Sequence, residues 1–232
     1  MVVKIRRTLA LYGYESPIFI GTGRFGKCYS TKKNNRDYLF KIFEKNLVKR
    51  RKQKALNEGR LLKQLSHPGI PAFIETIERD GIFGLVMEKK RGLCLSDVED
   101  RGISFTKDQV MDIIGDLIDL LVFLETKNIR HRDIQLSNII WQPGQLSLVD
   151  FGSARRINRF TTEFEPDYWA LGDTMLRLFN SCDAYYDAEK DDFYNLCLPE
   201  ELAVFLKRLI YIDRPFNSFK EIRSSYRNFC NR

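Results

Sequence analysis

Hydrophobic positions divide this chain into a first part patterned as strands and a second part patterned as helices. Ile18 to Gly23, Lys27 to Thr31 and Tyr38 to Phe43 read as short strands, parted by a glycine turn and by the polar stretch Lys32 to Asp37. That is a small antiparallel meander. From Arg50 to Leu65, the residues Leu56, Leu61, Leu62 and Leu65 recur at helical spacing, and Ser66-His67-Pro68-Gly69 stops the helix because proline and glycine cannot extend it. Ala72 to Glu78 and Ile82 to Glu88 then flank Asp80-Gly81, a hairpin signal. Five strands and one helix make a first lobe.

Thr106 is a suitable N-cap for Lys107 to Lys127, whose Val110, Ile113, Ile114, Leu117, Leu120, Leu121 and Leu124 form one wide apolar stripe of a buried helix. Two short β runs come next, Asn138 to Trp141 and Leu146 to Val149, joined by Pro143-Gly144. Helical patterns near 168 to 180, 200 to 212 and 217 to 229 complete a mostly α second lobe. No repeat or low-complexity linker separates the two parts, so any boundary between them is a short hinge.

With 232 residues, 44% of them hydrophobic, the chain has enough apolar surface for a real core, which excludes disorder over most of its length. The net charge of +7 favours polyanionic partners without choosing among nucleotides, nucleic acid and anionic membrane. Five scattered cysteines form no CxxC pair and have no histidine cluster beside them, so neither zinc nor a disulfide framework is indicated and a cytoplasmic location is expected. Met1 to Arg7 carries charge with no apolar run behind it, and Asp112, Asp116 and Asp119 interrupt the most apolar stretch. Neither a signal peptide nor a membrane span is expected.

Candidate chemistry lies in four places. Gly21-Thr22-Gly23-Arg24-Phe25-Gly26 sits between two strands, where glycines let backbone N–H groups approach phosphate oxygens; an ordinary hairpin is the plainer alternative. Lys41 stands in the apolar strand Tyr38 to Phe43, where a buried ammonium needs a partner, and Glu58 on the inward side of the following helix is the candidate. An exposed lysine on an edge strand is the alternative there. His131-Arg132-Asp133 with Asn138 forms a loop after the long helix, and Asp150-Phe151-Gly152 comes directly after the second β run. Asp133 suits the role of accepting a hydroxyl proton, and Asn138 and Asp150 offer hard oxygen ligands to a magnesium ion on nucleotide phosphates. Either motif alone is ordinary turn chemistry; together, twelve residues apart across a β-turn-β, they are specific.

In this order the residues resemble the signature set of the Hanks-type protein kinases. The string continues through Met87-Glu88 as gatekeeper and hinge to Asp167-Tyr168-Trp169-Ala170-Leu171-Gly172, similar to the start of that family's central helix, and Asp213-Arg214-Pro215 near its end. The stretch Leu-Ser-His-Pro-Gly-Ile-Pro and the small size resemble the compact bacterial serine/threonine kinases.

The resemblance implies one α+β, bilobal kinase-like domain, with an N-lobe at 1–88, a hinge at 89–92 and a C-lobe at 93–232. It implies ATP and Mg²⁺ as cofactors, with Lys41 on the phosphates and Glu58 fixing Lys41. The nucleotide would lie under Ile20 and the Gly21 to Gly26 flap, its adenine between Cys28 and Ile140, with Met87 behind it and backbone groups of Glu88 to Lys90 on its edge. His131, Phe151 and Leu62 would form an internal packing column. The implied activity is phosphoryl transfer from ATP to hydroxyls of proteins, the chain itself among them.

Three departures qualify that picture. Gln135 replaces the catalytic-loop lysine, and a neutral donor holds a phosphoryl group less strongly than a cation. The stretch from Asp150 to Asp167 is short for a full activation and docking loop; Glu165-Pro166 stands where that loop would end, with Arg214 as the expected partner of the carboxylate. Thr161 and Thr162 are candidate autophosphorylation sites facing Arg132, though hydroxyls in a polar loop need no function. Leu39 occupies the place of a small alanine and narrows the adenine roof.

Lys45 to Lys54 holds six basic residues in ten, a solvated helix start or a dock for an acidic partner, nucleic acid or lipid. Gln135 and the short stretch after Phe151 motivate two rivals to a protein kinase: a pseudokinase that binds nucleotide as an interaction module, and a small-molecule kinase. A purely nucleic-acid-binding chain would rest on charge alone and leave the ordered motifs unexplained.

Overall fold

The computed structural model describes residues 2–23, 26–43, 48–157, 165–182 and 197–230. Contacts divide it into two units, Met1–Lys90 with Phe151–Ser153, and Arg91–Asp150 with Ala154–Arg232.

The first unit is a five-stranded antiparallel sheet with helices packed on it. β1 (Glu15–Gly23), β2 (Gly26–Lys33), β3 (Arg36–Phe43), β4 (Phe73–Arg79) and β5 (Ile82–Glu88) run in the order β1-β2-β3-β5-β4. Two tight turns set the register. Asn34 and Asn35 between β2 and β3, and Asp80 and Gly81 between β4 and β5, all have positive φ, the primed geometry that suits the twist of a hairpin. The polar stretch from Lys32 to Asp37 is thus mostly strand, and only its two asparagines turn.

Alternation along the strands decides which helix meets which face. Phe40 and Ile42 of β3, with Tyr29, Ile77, Ile82 and Val86, form one apolar cluster. Lys41, between them, projects to the opposite face. The cluster is capped by an element that the hydrophobic pattern does not announce, the helix α1 (Val2–Ala10), whose Ile5 and Leu9 are fully buried in it. Each of these side chains contributes about 1.5–3 kcal/mol by leaving water. Lys4, before the first anchor, and Arg6 and Arg7, between the two, lie exposed, which hides the helix in a reading of composition. The helix α2 (Val48–Leu62) packs against β3, β4 and β5, and the 3₁₀ turn Phe151–Ser153 packs against α2.

The second unit is organised around α4 (Lys107–Thr126). Thr106 accepts from Gln109 N at 3.3 Å while the Gln109 carboxamide oxygen accepts from Thr106 N at 3.0 Å, a capping box that satisfies two N–H groups at the helix start. Nine apolar side chains of α4 are buried, the predicted stripe and Ile118 and Val122 besides, so the helix is enclosed on more than one side. Around it lie β6 (Leu93–Cys94), α3 (Leu95–Asp100), β7 (Ile129–Arg130), β8 (Ile139–Gln142), β9 (Gln145–Leu148), β10 (Arg155–Arg156), α5 (Pro166–Asn180), α6 (Glu200–Leu209) and α7 (Phe219–Cys230). β6, β8 and β9 form one small sheet and β7 pairs with β10. Tyr226 of α7 donates to the Met111 carbonyl of α4 at 2.7 Å, fixing the two helices in register. Among the described residues no helix is long and apolar enough to cross a membrane.

Candidate active site

In the first unit a row of paired residues crosses the sheet. Gly21 of β1 pairs with Cys28 of β2, Cys28 with Lys41 of β3, and Lys41 with Leu85 of β5, so the side chains of Cys28 and Lys41 share a face. A register shift between Phe19 and Gly21 leaves Ile20 outside the ladder and about half exposed. Lys41 is only 3% exposed, and Glu58 of α2 meets it with both carboxylate oxygens 3.0 Å from the ammonium. The expected pair is therefore formed. A salt bridge this deep has to offset the loss of hydration of both ions, so its presence is weak evidence for stability and better evidence for a use.

The glycines of the flap separate by physical cause. A Cβ on Gly26 would lie 1.9 Å from the Ile42 carbonyl oxygen, so the close approach of β3 demands glycine. Among the described residues nothing lies within 4 Å of a Cβ built on Gly21, so none of them requires glycine there. Thr22 and Gly23 are exposed at the end of β1. Arg24 and Phe25 lie outside the described residues, as do Thr161 and Thr162. The basic cluster, apart from Gln53, lies outside the residues whose side chains are described. At the end of β5, Met87 is buried. Glu88 N donates to the Ala72 carbonyl at 2.8 Å, its carboxylate accepts from Ala72 N at 3.1 Å and pairs with Lys90 at 2.9 Å, and Lys90 also donates to the Pro68 carbonyl at 2.7 Å. Both side chains are thus turned to the Pro68 to Ala72 segment.

In the second unit the loop after β7 is held from behind by one carboxylate. Asp167, in the first turn of α5, accepts from His131 N and from Arg132 N, each at 2.7 Å. Burial pushes this carboxyl up from the usual range, the two N–H donors and Arg130 pull it back, and the balance lies at about 6, so it is mostly ionised at neutral pH. His131 is fully buried, with Nε2 3.1 Å from the Val149 carbonyl. Arg132 and Asp150 both have φ in the left-handed region, +65° and +60°, without being glycine. Such backbone persists only where its surroundings impose it, and it clusters at functional sites.

The loop's polar side chains converge on Asp133. Asn138 donates from Nδ2 to the Asp133 carbonyl at 2.8 Å and to its carboxylate at 3.2 Å. Val149 N donates to the Asn138 carbonyl at 2.9 Å, which sets Asp150 one residue beyond that contact. Asp133 and Asn138 are thus in contact, and Asp150 follows the residue bonded to Asn138. Gln135 donates to the other carboxylate oxygen of Asp133 at 3.2 Å. Ile140 lies on β8, paired with Cys94 and Ser147.

Set against this architecture, sequence comparison decides the family. The protein kinase domain model matches residues 14–165. The chain belongs to the protein kinase family.

This kinase chain is 30% identical over 200 residues to the probable serine/threonine-protein kinase YbdM of Bacillus subtilis, an alignment covering 80% of the chain and 76% of that protein. The serine/threonine-protein kinase STE20 of Saccharomyces cerevisiae is 30% identical over 170 residues, 71% of this chain and 18% of that one. Human serine/threonine-protein kinase DCLK3 is 31% identical over 166 residues, 68% of this chain and 26% of that one. The chain thus spans about three quarters of the bacterial relative and about a quarter or less of these eukaryotic ones. Membership implies ATP and a divalent metal as the family's cofactors.

One expectation fails. Glu165 does not pair with Arg214: its carboxylate is bound by Arg130 Nε, and Arg214 contributes its backbone carbonyl to Arg208 at 3.0 Å. Arg130 directly precedes His131 and already lies against the chain that carries Glu165, whereas Arg214 is exposed. Asp167 is the functional residue hardest to find from the chain alone. It was legible as a helix start, but its two N–H bonds reach back 35 and 36 positions.

Proposed function

We propose that this kinase transfers the γ-phosphoryl group of ATP, with Mg²⁺, to serine or threonine hydroxyls of proteins, its own among them. The carrying observation is the Asp133, Asn138 and Asp150 cluster. Asp133 accepts the proton of the attacking hydroxyl, a reading supported by the amide donors that orient both of its carboxylate oxygens. Asn138 spends its amide N–H on Asp133, which leaves Oδ1 as a hard oxygen, and Asp150 supplies a second; this donor set fits magnesium. When bound, the metal neutralises charge on the nucleotide phosphates.

Lys41 binds the α and β phosphates and Glu58 holds it in place, a reading supported by the depth of the pair. That no atom of the described residues demands glycine at Gly21 supports phosphate approach beneath the flap from Ile20 through Gly26. Cys28 and Ile140 sandwich the adenine beside Met87, and backbone groups from Glu88 to Lys90 read its edge. The lobes are 1–88 and 93–232, with 89–92 as hinge. The scattered cysteines favour the cytosol.

Purified protein given γ-labelled ATP and Mg²⁺ is expected to label itself or a generic basic protein, and Asp133→Asn or Asp150→Ala to abolish the label. Label that survives both substitutions would sink the mechanism. The bond from Gln135 to Asp133 favours one rival, a pseudokinase, because this side chain serves the Asp133 carboxylate in place of a phosphate. That rival predicts thermal stabilisation by ATP with no transfer, and any turnover by the unmodified chain removes it.

A further inference from the structure

The strand β7 is tied to the neighbouring chain on two sides. Along its backbone, Arg130 pairs with Arg155 and Ile129 with Arg156, and Ile157 N donates to the Asn128 carbonyl at 2.9 Å. Through its side chain, Arg130 reaches the residue that opens α5: Nε binds the Glu165 carboxylate. From the same guanidinium, Nη2 donates to Glu125 near the end of α4 at 3.3 Å. Glu125 in turn accepts from Phe219 N, at 3.1 and 3.2 Å, at the start of α7. The guanidinium carbon stands 5.6 Å from the Phe219 ring centre, within cation–π range. One planar cation therefore joins the ends of α4, α5 and α7.

The two residues after Arg130 give this junction its meaning. His131 and Arg132 donate their N–H groups to Asp167, two positions after Glu165. Segments 130–132 and 165–167 are thus stitched by three parallel contacts, one from a side chain and two from backbone. The two backbone bonds hold a loop whose Arg132 has φ +65°, a conformation costly for a non-glycine residue and maintained only while its surroundings over-determine it. Arg130 is the contact of the three that a substitution can remove without touching either the strained residue or its acceptor.

We infer that Arg130 is a positioning residue: by binding Glu165 and Glu125 together it fixes α5 against the loop and so aims Asp133. The inference rests on the reading of Asp133 as the proton acceptor, but the position of the loop can be measured without turnover. Arginine is the residue for this work. Its fork serves two carboxylates on different elements at once, whereas a lysine is a point charge that serves one well. Without a cation the two carboxylates face each other in a largely buried place, and only the two backbone bonds to Asp167 still tie α5 to this segment.

The experiment is amide hydrogen exchange on the full chain without ligand, with steady-state phosphoryl transfer beside it. In Arg130→Met, exchange of the backbone from 129 to 134 is expected to rise at least tenfold while α4 keeps its protection. The kcat should fall by a similar factor with KM for ATP unchanged, and Arg130→Lys should recover part of both. Glu165→Gln takes the charge out of the same contact from the other side and keeps the Arg130 to Glu125 contact; it should give a smaller rise in the same segment, which covers the case in which Arg130→Met does not fold. An exchange increase spread equally over α4, or normal exchange at 129–134 in both folded variants, would overturn the proposal and leave Arg130 a structural ion pair. If wild type transfers no phosphate yet exchange rises locally in the variants, the positioning stands and the assignment of Asp133 is what fails.

Discussion

Each unit buries a cation among carboxylates, and the two clusters are built differently. Lys41 is paired with Glu58, their side chains 4% and 1% exposed. Arg130 lies between two carboxylates, Glu125 and Glu165, with all three side chains between a tenth and a fifth exposed. The first pair joins one strand to one helix and presents an ammonium on the sheet face it shares with Cys28. The second joins the ends of three helices and presents nothing. Burial alone does not distinguish an ion held ready for a ligand from an ion that wires the backbone. The number of elements joined, and whether the cation's neighbours in sequence are themselves site residues, does.

The largest effect should come from breaking the first cluster. Lys41→Met is expected to lower transfer by a factor of about 10² to 10³, the loss typical of removing a charge that stabilises the transition state. It also takes the Lys41 cation from the buried Glu58 carboxylate, at a cost of about 3–5 kcal/mol unless the carboxyl takes up a proton. The double variant Lys41→Met, Glu58→Leu should then recover most of the melting temperature and none of the activity. If the double variant is as unstable as the single one, the pair is there for the fold and the contrast collapses.

Arg130→Met should cost less activity than Lys41→Met and a similar amount of stability, because two carboxylates lose their cation without any phosphate contact being lost. Unlike at Lys41, the apolar double variant is not expected to separate the two properties. Replacing Glu165 as well still lacks the side-chain tie to α5 and leaves only the two backbone bonds to Asp167, so both melting temperature and kcat should stay low. Calorimetry and initial rates on the same preparations decide this.

Asp167 offers a gentler probe of the second cluster, through pH. Its folded carboxyl sits at about 6, above the ordinary 3.8, so between those values the folded chain holds a proton that the unfolded chain has released. The stability from this group is fully present below about 4 and is lost as pH rises through 6. Between pH 7 and pH 5, wild type should gain about 1 kcal/mol relative to Asp167→Asn, which cannot titrate. Denaturant melts at the two pH values measure it; a difference that does not move with pH would place the titration elsewhere.

The legibility of these features obeys the same divide. Lys41 and Glu58 could be read because a single charge in an apolar strand and a single acid on the inward face of the next helix each demand an explanation, and each explains the other. The stripe of α4 was legible because seven residues repeat one period. Arg130 was not: an arginine before His131 in a sequence rich in arginine carries no signal, and its partner lies 35 positions away, beyond β8, β9 and β10. Arg214 looked the better partner only because it sits in a recognisable motif. α1 escaped for a related reason, since two anchors, Ile5 and Leu9, are too few to establish a period among three cations. The left-handed backbone of Arg132 and Asp150 had no glycine to mark it.

Gln135 is where the smallest effect is expected and where the comparison is sharpest, since it lies in the loop that Arg130 and Asp167 support and takes the place of a cation. It is exposed, and its amide already donates to Asp133 at 3.2 Å. A lysine introduced there has two anions to choose between, the Asp133 carboxylate and a nucleotide phosphate. A charged donor gains about 1 kcal/mol over a neutral one, so if the new ammonium reaches the phosphate, Gln135→Lys should raise kcat about fivefold. If instead it stays on Asp133, it will hold that carboxylate's proton affinity down, and the rate will fall while nucleotide binding is unchanged. A rise means that the loop is already aimed and lacks only charge; a fall means that the Gln135 amide is part of the aiming. In the second case, the three residues Arg130, Asp167 and Gln135 act on Asp133 as one support, and replacing any two should cost no more than the worse of the pair.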